Sequence, residues 1–152
     1  MNNAIVVLAI LISASICYSQ SKPSICPIKD FKGKTSEFGN RIHPILKVEQ
    51  KHEGIDFFVR KGTPVRATAS GIVVQAEMVD NFGVVVRLQH DKTYETFYAH
   101  LSKLAVKKGA TIRKGQIIAY SGNSGVSTGP HLHYEVIENG VHLNPREFIA
   151  SK

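Results

Sequence analysis

Hydrophobic and polar positions recur along this chain in short runs rather than at helical spacing. Six runs stand out: Pro64 to Ala69, Gly71 to Ala76, Val84 to His90, Tyr94 to Leu101, Gln116 to Ser121 and His133 to Glu138. Most are rich in Val, Ile, Tyr or Phe, whose branched or flat side chains fit a pleated surface, so strands are predicted over helices. Gly-containing turns separate them at Lys61-Gly62, Lys108-Gly109, Lys114-Gly115, Ser121-Gly122 and Asn139-Gly140. Asn139-Gly140, set between Val136 and Val141, predicts a hairpin because both residues tolerate the positive φ that tight hairpin turns require. A short C-terminal helix is predicted over Pro145 to Ile149, with Asn144 as its cap and Pro145 in its first turn. The fold class that follows is all-β, a mainly antiparallel sheet or partly open barrel.

The start of the chain follows another pattern. Ala4 to Ile12 is an unbroken apolar run, followed by the small residues Ser13, Ala14 and Ser15. This layout predicts a secretory signal over residues 1–19, cut near Ser19, although no Lys or Arg precedes the apolar run. The run is too short for a hydrocarbon core that needs about 20 apolar residues, so no stable membrane span is expected after cleavage. A lipid anchor on Cys17 is disfavoured by bulky Ile16, where a small residue is usual. Residues 20–34 mix Ser, Pro and Lys without periodicity and read as an extended leader. Residues 35–150 form the domain itself, and the roughly 130 residues left after cleavage suit one domain. Cleavage also removes Cys17, leaving Cys26 without an intramolecular partner.

Charge narrows the partners. The chain carries 19 Lys and Arg against 12 Asp and Glu, a formal +7, and residues 1–19 contribute none of it. An exported basic domain suits an anionic envelope polymer, and equally a solvated basic surface. Export and the lack of a basic helix argue against nucleic acid. The expected destination is the periplasm or secretion to the cell envelope, and the expected state is a monomer.

The specialised chemistry lies in three compact groups: His52-Glu53-Gly54-Ile55-Asp56, Tyr98-Ala99-His100-Leu101 and His131-Leu132-His133. Side chains two apart in a strand share a face, so His131 and His133 emerge together, and one of them suffices as a metal ligand. The same parity puts His52, Gly54 and Asp56 on one face and turns Glu53, Ile55 and Phe57 to the other, with Gly54 leaving room between the ligands. Two imidazoles and one carboxylate make a mixed nitrogen and oxygen set suited to zinc with an open fourth position. Such a site lowers the pKa of bound water to about 7 and polarises a carbonyl, as amide hydrolysis requires. His100 and His131 are then the candidates to orient or deprotonate water and to stabilise an oxyanion. A helical zincin reading of His-Glu-Gly-Ile-Asp is rejected, because Gly54 weakens a helix and Phe57-Phe58-Val59 prefers a strand. His90 and His142 read as structural or exposed, and His43 as lining a cleft.

These residues, in this order, resemble the lysostaphin-type, or LytM-like, zinc peptidases that hydrolyse peptide bonds in peptidoglycan. The likeness runs from about Thr35 to Phe148. It begins with Phe38-Gly39-Asn40-Arg41-Ile42-His43-Pro44 and continues through His52-Glu53-Gly54-Ile55-Asp56 and Gly62-Thr63-Pro64-Val65. It ends with Tyr98-Ala99-His100-Leu101 and Ser127-Thr128-Gly129-Pro130-His131-Leu132-His133. The resemblance implies one Zn2+ held by His52, Asp56 and His133, with His100 and His131 as catalytic partners. It also implies an antiparallel sheet with a loop-walled groove, in which Arg41 and His43 are candidate substrate contacts, and a peptidoglycan peptide as substrate.

Asn81 and Thr93 depart from the family pattern, which has Gly there. A Cβ resists positive φ, so altered loop paths are expected at both. Two rival readings compete with this one. An inert LytM-like module that regulates another cell-wall hydrolase is disfavoured because all five site residues are present. A lipoyl or biotinyl carrier, suggested by Val106 to Ile118, is disfavoured because no Lys is presented in the required hairpin motif.

Overall fold

A computed structural model describes residues 22–42, 45 and 47–149. The expected signal over residues 1–19 and the expected groove residue His43 lie outside the described residues.

The first strands are β1 (Thr35–Ser36), β2 (Gly39–Ile42), β3 (Glu49–His52) and β4 (Ile55–Phe57). They lead into β5 (Pro64–Arg66), β6 (Gly71–Val79), β7 (Gly83–Gln89) and β8 (Tyr94–Leu104). The chain closes with β9 (Thr111–Ile112), β10 (Ile117–Ser121), β11 (Leu132–Glu138) and β12 (Val141–Leu143). All six predicted runs are represented, with boundaries that agree or shift by up to three residues. The predicted C-terminal helix is a single 3-10 turn, Pro145–Glu147, whose N-cap Asn144 accepts a hydrogen bond from the Arg146 amide.

The main sheet runs β1-β4-β11-β8-β7-β6-β9 with antiparallel pairing throughout. It stays open, so of the two expected forms the sheet prevails over the barrel. The 11-residue β8 is its axis. Along one edge, β8 pairs first with β11, up to Ala99 opposite His133, and then with β10 from Leu101 onward. His100 sits where the partner changes. It carries the unusual positive φ of 57° and its amide bonds to Phe82 O at 2.9 Å.

Strand parity divides the sheet into two faces. Leu132, Tyr134 and Val136 of β11, Tyr98 of β8, and Ile55 and Phe57 of β4 enter the main hydrophobic core. The opposite face carries a smaller cluster of Val85, Phe97, Ala99 and Ile137. Asp56 and His133, each alternating with main-core residues, belong to this second face. Within the main core, Thr68 Oγ1 lies 3.1 Å from Tyr98 OH and 2.8 Å from Tyr134 OH, which satisfies hydroxyls that would be costly to bury alone.

β2 and β3 form a separate two-stranded ribbon outside the main sheet. The expected leader, as far as it is described, docks on the sheet. Ile28 is buried in the main core, and Arg66 N bonds to Pro27 O at 2.9 Å. Neither Asn81 nor Thr93 has positive φ, and in the β6–β7 turn the left-handed position falls on Gly83.

Candidate metal centre

Three elements converge at the centre. His52 ends the ribbon strand β3, Asp56 lies in β4, and His133 stands opposite Asp56 in the β4–β11 ladder. His52 Nε2 is 3.1 Å from Asp56 Oδ1 and 3.1 Å from His133 Nδ1, and His133 Nδ1 is 2.8 Å from Asp56 Oδ1. The three side chains are buried and offer one ligand atom each to a common point. They form the one group among the described residues with three such atoms close enough to hold a metal ion.

The single-strand parity expected for His52 to Asp56 holds only in part. Ile55 and Phe57 do turn away into the core, and exposed Glu53 points to His142, 3.6 Å away. His52 and Asp56, however, belong to different sheets, and the chain bends between them at Glu53 and Gly54. Gly54 is needed for a different contact from the one expected. A Cβ there would stand 2.5 Å from Tyr134 O and 2.9 Å from His133 Cε1. Its hydrogen thus admits the β11 backbone and the ring of His133 itself.

Each histidine of the cluster is pinned on the ring nitrogen that faces away from the centre. His52 Nδ1 donates to Glu37 O at 2.8 Å, His100 Nδ1 to Ser124 O at 2.7 Å, and His131 Nδ1 to Gly129 O at 2.8 Å. Each of these three therefore turns its Nε2 inward, the ring orientation fixed by its outer hydrogen bond. His133 is reversed: Nε2 donates outward to Glu135 Oε1 at 2.8 Å and Nδ1 faces the centre. His131 and His100 are packed together with ring centres 4.6 Å apart, and His131 Nε2 lies 3.8 Å from Asp56 Oδ1.

The electrostatics are those of a paired, desolvated cluster. Burial pushes the Asp56 carboxyl upward, but hydrogen bonds from His133 and His52 outweigh it and hold the group far below the usual carboxylate range. Burial lowers His100 to about 4, so this imidazole is neutral through the physiological range.

Arg41, expected as a substrate contact, reaches in from β2. Its Nη2 donates to Asp56 Oδ2 at 3.1 Å and its Nη1 to Ser36 Oγ. The cluster opens into a cleft of about 730 Å³, whose walls include Arg41, Phe58, Phe82 and Thr128. His90 is a core histidine, bonded to Ser70 O at 2.8 Å and to Thr96 Oγ1 at 2.7 Å. His142 is half-buried beside Glu135, at 3.2 Å. Glu135 is the functional-face residue that sequence reasoning missed. Its signal was present: it lies two residues beyond His133 and so shares its face.

The family model of peptidase family M23 matches residues 50–145. The chain belongs to peptidase family M23. A relative among curated proteins, the peptidoglycan DD-endopeptidase ShyA of Vibrio cholerae, is 47% identical over 104 residues, which cover 68% of this chain and 24% of the relative. The chain thus spans about a quarter of the length of the curated relatives it matches. Among solved structures, the catalytic domain of lysostaphin from Staphylococcus simulans superposes with a TM-score of 0.72 at 36% identity, covering 78% of this chain and 93% of that one. A zinc-containing peptidase from Vibrio cholerae gives 0.76 at 31% identity, covering 87% and 41%. The open antiparallel sheet described above is the M23 fold, and the family implies a metal cofactor.

Proposed function

We propose that this chain is a zinc-dependent endopeptidase that hydrolyses peptide cross-links or bridges of bacterial peptidoglycan. The observation that carries the reading is the convergence of His52 Nε2, Asp56 Oδ1 and His133 Nδ1, mutually 2.8–3.1 Å apart. Tetrahedral zinc with bonds of about 2.0–2.1 Å would space such atoms at about 3.3 Å, a close match. Two imidazoles and one carboxylate are also a donor set typical of hydrolytic zinc. The zinc-containing Vibrio cholerae structure supports the choice of metal.

His52, Asp56 and His133 would hold the ion, which supplies Lewis-acid polarisation of the scissile carbonyl and eases deprotonation of water. The chain's own residues do the rest. The inward Nε2 of His100 and of His131 each offers a lone pair to accept a proton from the attacking water, since Nδ1 is occupied by a backbone carbonyl. Once protonated, the same nitrogen can stabilise the developing oxyanion or protonate the leaving amine. Arg41 keeps Asp56 Oδ2 occupied, leaving Oδ1 turned to the other ligands, and its place in the cleft wall allows contact with substrate. Phe58 and Phe82 flank the rings of His131 and His100, with ring centres 6.3 and 6.4 Å apart.

The name of the Vibrio cholerae relative favours direct D-amino-acid cross-links as the target, which accords with the export expected from residues 1–19. No helix among the described residues is long and apolar enough to cross a membrane. The test is digestion of purified peptidoglycans, one directly cross-linked and one glycine-bridged, with and without chelator, with new termini identified by mass spectrometry. Chelator-sensitive release from the directly cross-linked wall is expected. Intact cross-links in every wall, with zinc bound, would mark the chain as a binding module instead.

A further inference from the structure

Glu135 is 3% exposed, and no Lys or Arg among the described residues pairs with it. A carboxyl group removed from water is costly unless its oxygens find polar partners, so its position requires such partners nearby. Its two neighbours are both imidazoles. Oε1 accepts the Nε2 proton of His133 at 2.8 Å, and Oε2 lies 3.2 Å from His142 Nδ1, a buried atom within ion-pair reach of it but outside hydrogen-bonding geometry. His142 Nε2 in turn faces Glu53 Oε2 at 3.6 Å, at the protein surface. A polar row therefore runs from the centre through His133, Glu135 and His142 to Glu53.

His133 differs from the other three histidines of the cluster. They are held by backbone carbonyls, whereas His133 is backed by the carboxyl group of a side chain. It is also the one histidine of the four that presents Nδ1 inward. Fixing that choice requires the proton to stay on Nε2, and a buried carboxylate acceptor enforces it more firmly than a neutral oxygen. The carboxylate also raises the basicity of Nδ1 as a donor to a cation.

From this geometry we infer that Glu135, steadied by His142, is the positioning residue that fixes the His133 tautomer and strengthens metal retention. The inference rests on the metal reading above. β11 makes the arrangement possible: residues 133 and 135 share a face, and Ile137 of β11 pairs with His142 of β12, which brings His142 beside Glu135.

The experiment is zinc competition with a chelator of known affinity, on wild type, Glu135→Gln, Glu135→Ala and His142→Ala, with folding checked by circular dichroism. Glu135→Ala is expected to weaken zinc binding 10–100-fold. Glu135→Gln should recover part of that loss, because its amide oxygen still accepts the Nε2 proton, and His142→Ala should weaken binding by a few-fold. Long-range nitrogen NMR of the zinc-loaded wild type should find the His133 proton on Nε2. If Glu135→Ala does not fold, Glu135→Gln and His142→Ala decide the matter. Wild-type affinity in every folded variant overturns the inference alone. A wild-type chain that takes up no zinc overturns the metal reading, and this inference with it.

Discussion

His133 and Asp56 stand directly opposite each other in the β4–β11 ladder, and their side chains meet with Nδ1 and Oδ1 2.8 Å apart. Their mutual burial is tolerable because each satisfies the other. Removal of either leaves a desolvated polar group and an incomplete donor set. His133→Ala and Asp56→Ala should each abolish zinc uptake, measured by metal analysis after dialysis, and with it peptidoglycan cleavage. Stoichiometric zinc retained by either variant would exclude that residue as a ligand.

His100 should separate binding from chemistry. It lies outside the triad of ligand atoms, held by Ser124 O and by a strained backbone. His100→Ala should keep zinc near one equivalent and lose about 10²–10⁴-fold in turnover. Wild-type rates in this variant would remove its proposed role in proton transfer.

Gly54 tests the packing that brings the ligands together. An added methyl group meets Tyr134 O and the His133 ring, and both lie in the same strand. Gly54→Ala should cost roughly 1–3 kcal/mol in urea unfolding of the metal-free protein and also weaken zinc binding, since it displaces His133. Unchanged stability together with unchanged zinc affinity would show that β4 and β11 can separate freely.

His90 offers a pH test away from the centre. Burial lowers its pKa in the folded protein from the ordinary 6.5, because the charged form is poorly solvated there. Below 6.5 the unfolded chain takes up a proton that the folded chain resists, so this contribution to stability is complete above that pH and shrinks as pH falls. In urea titrations at pH 7.5 and 5.5, His90→Gln should show a smaller pH-dependent loss than wild type, by up to about 1.4 kcal/mol per pH unit below 6.5. Equal slopes would mean that His90 titrates alike in both states.

The sequence by itself determined the strands that build the core, the turns between them and the chemical identity of the cluster. Those properties are local: alternation follows from the two-residue period of a strand, and Leu132, Tyr134 and Val136 alternate with His133 and Glu135 whatever lies across the ladder. The β2–β3 ribbon escaped this reading because Gly-Asn-Arg-Ile and Glu-Gln-Lys-His have no continuous apolar side to reveal. Tertiary structure alone decided that His52 and Asp56 approach from different sheets and that His133 turns Nδ1 inward. It also set the break at which β8 leaves β11 for β10, placing His100 beside the His52, Asp56 and His133 cluster. Each of these depends on which distant strand supplies the opposing carbonyl or carboxylate, and residue spacing carries no record of that choice.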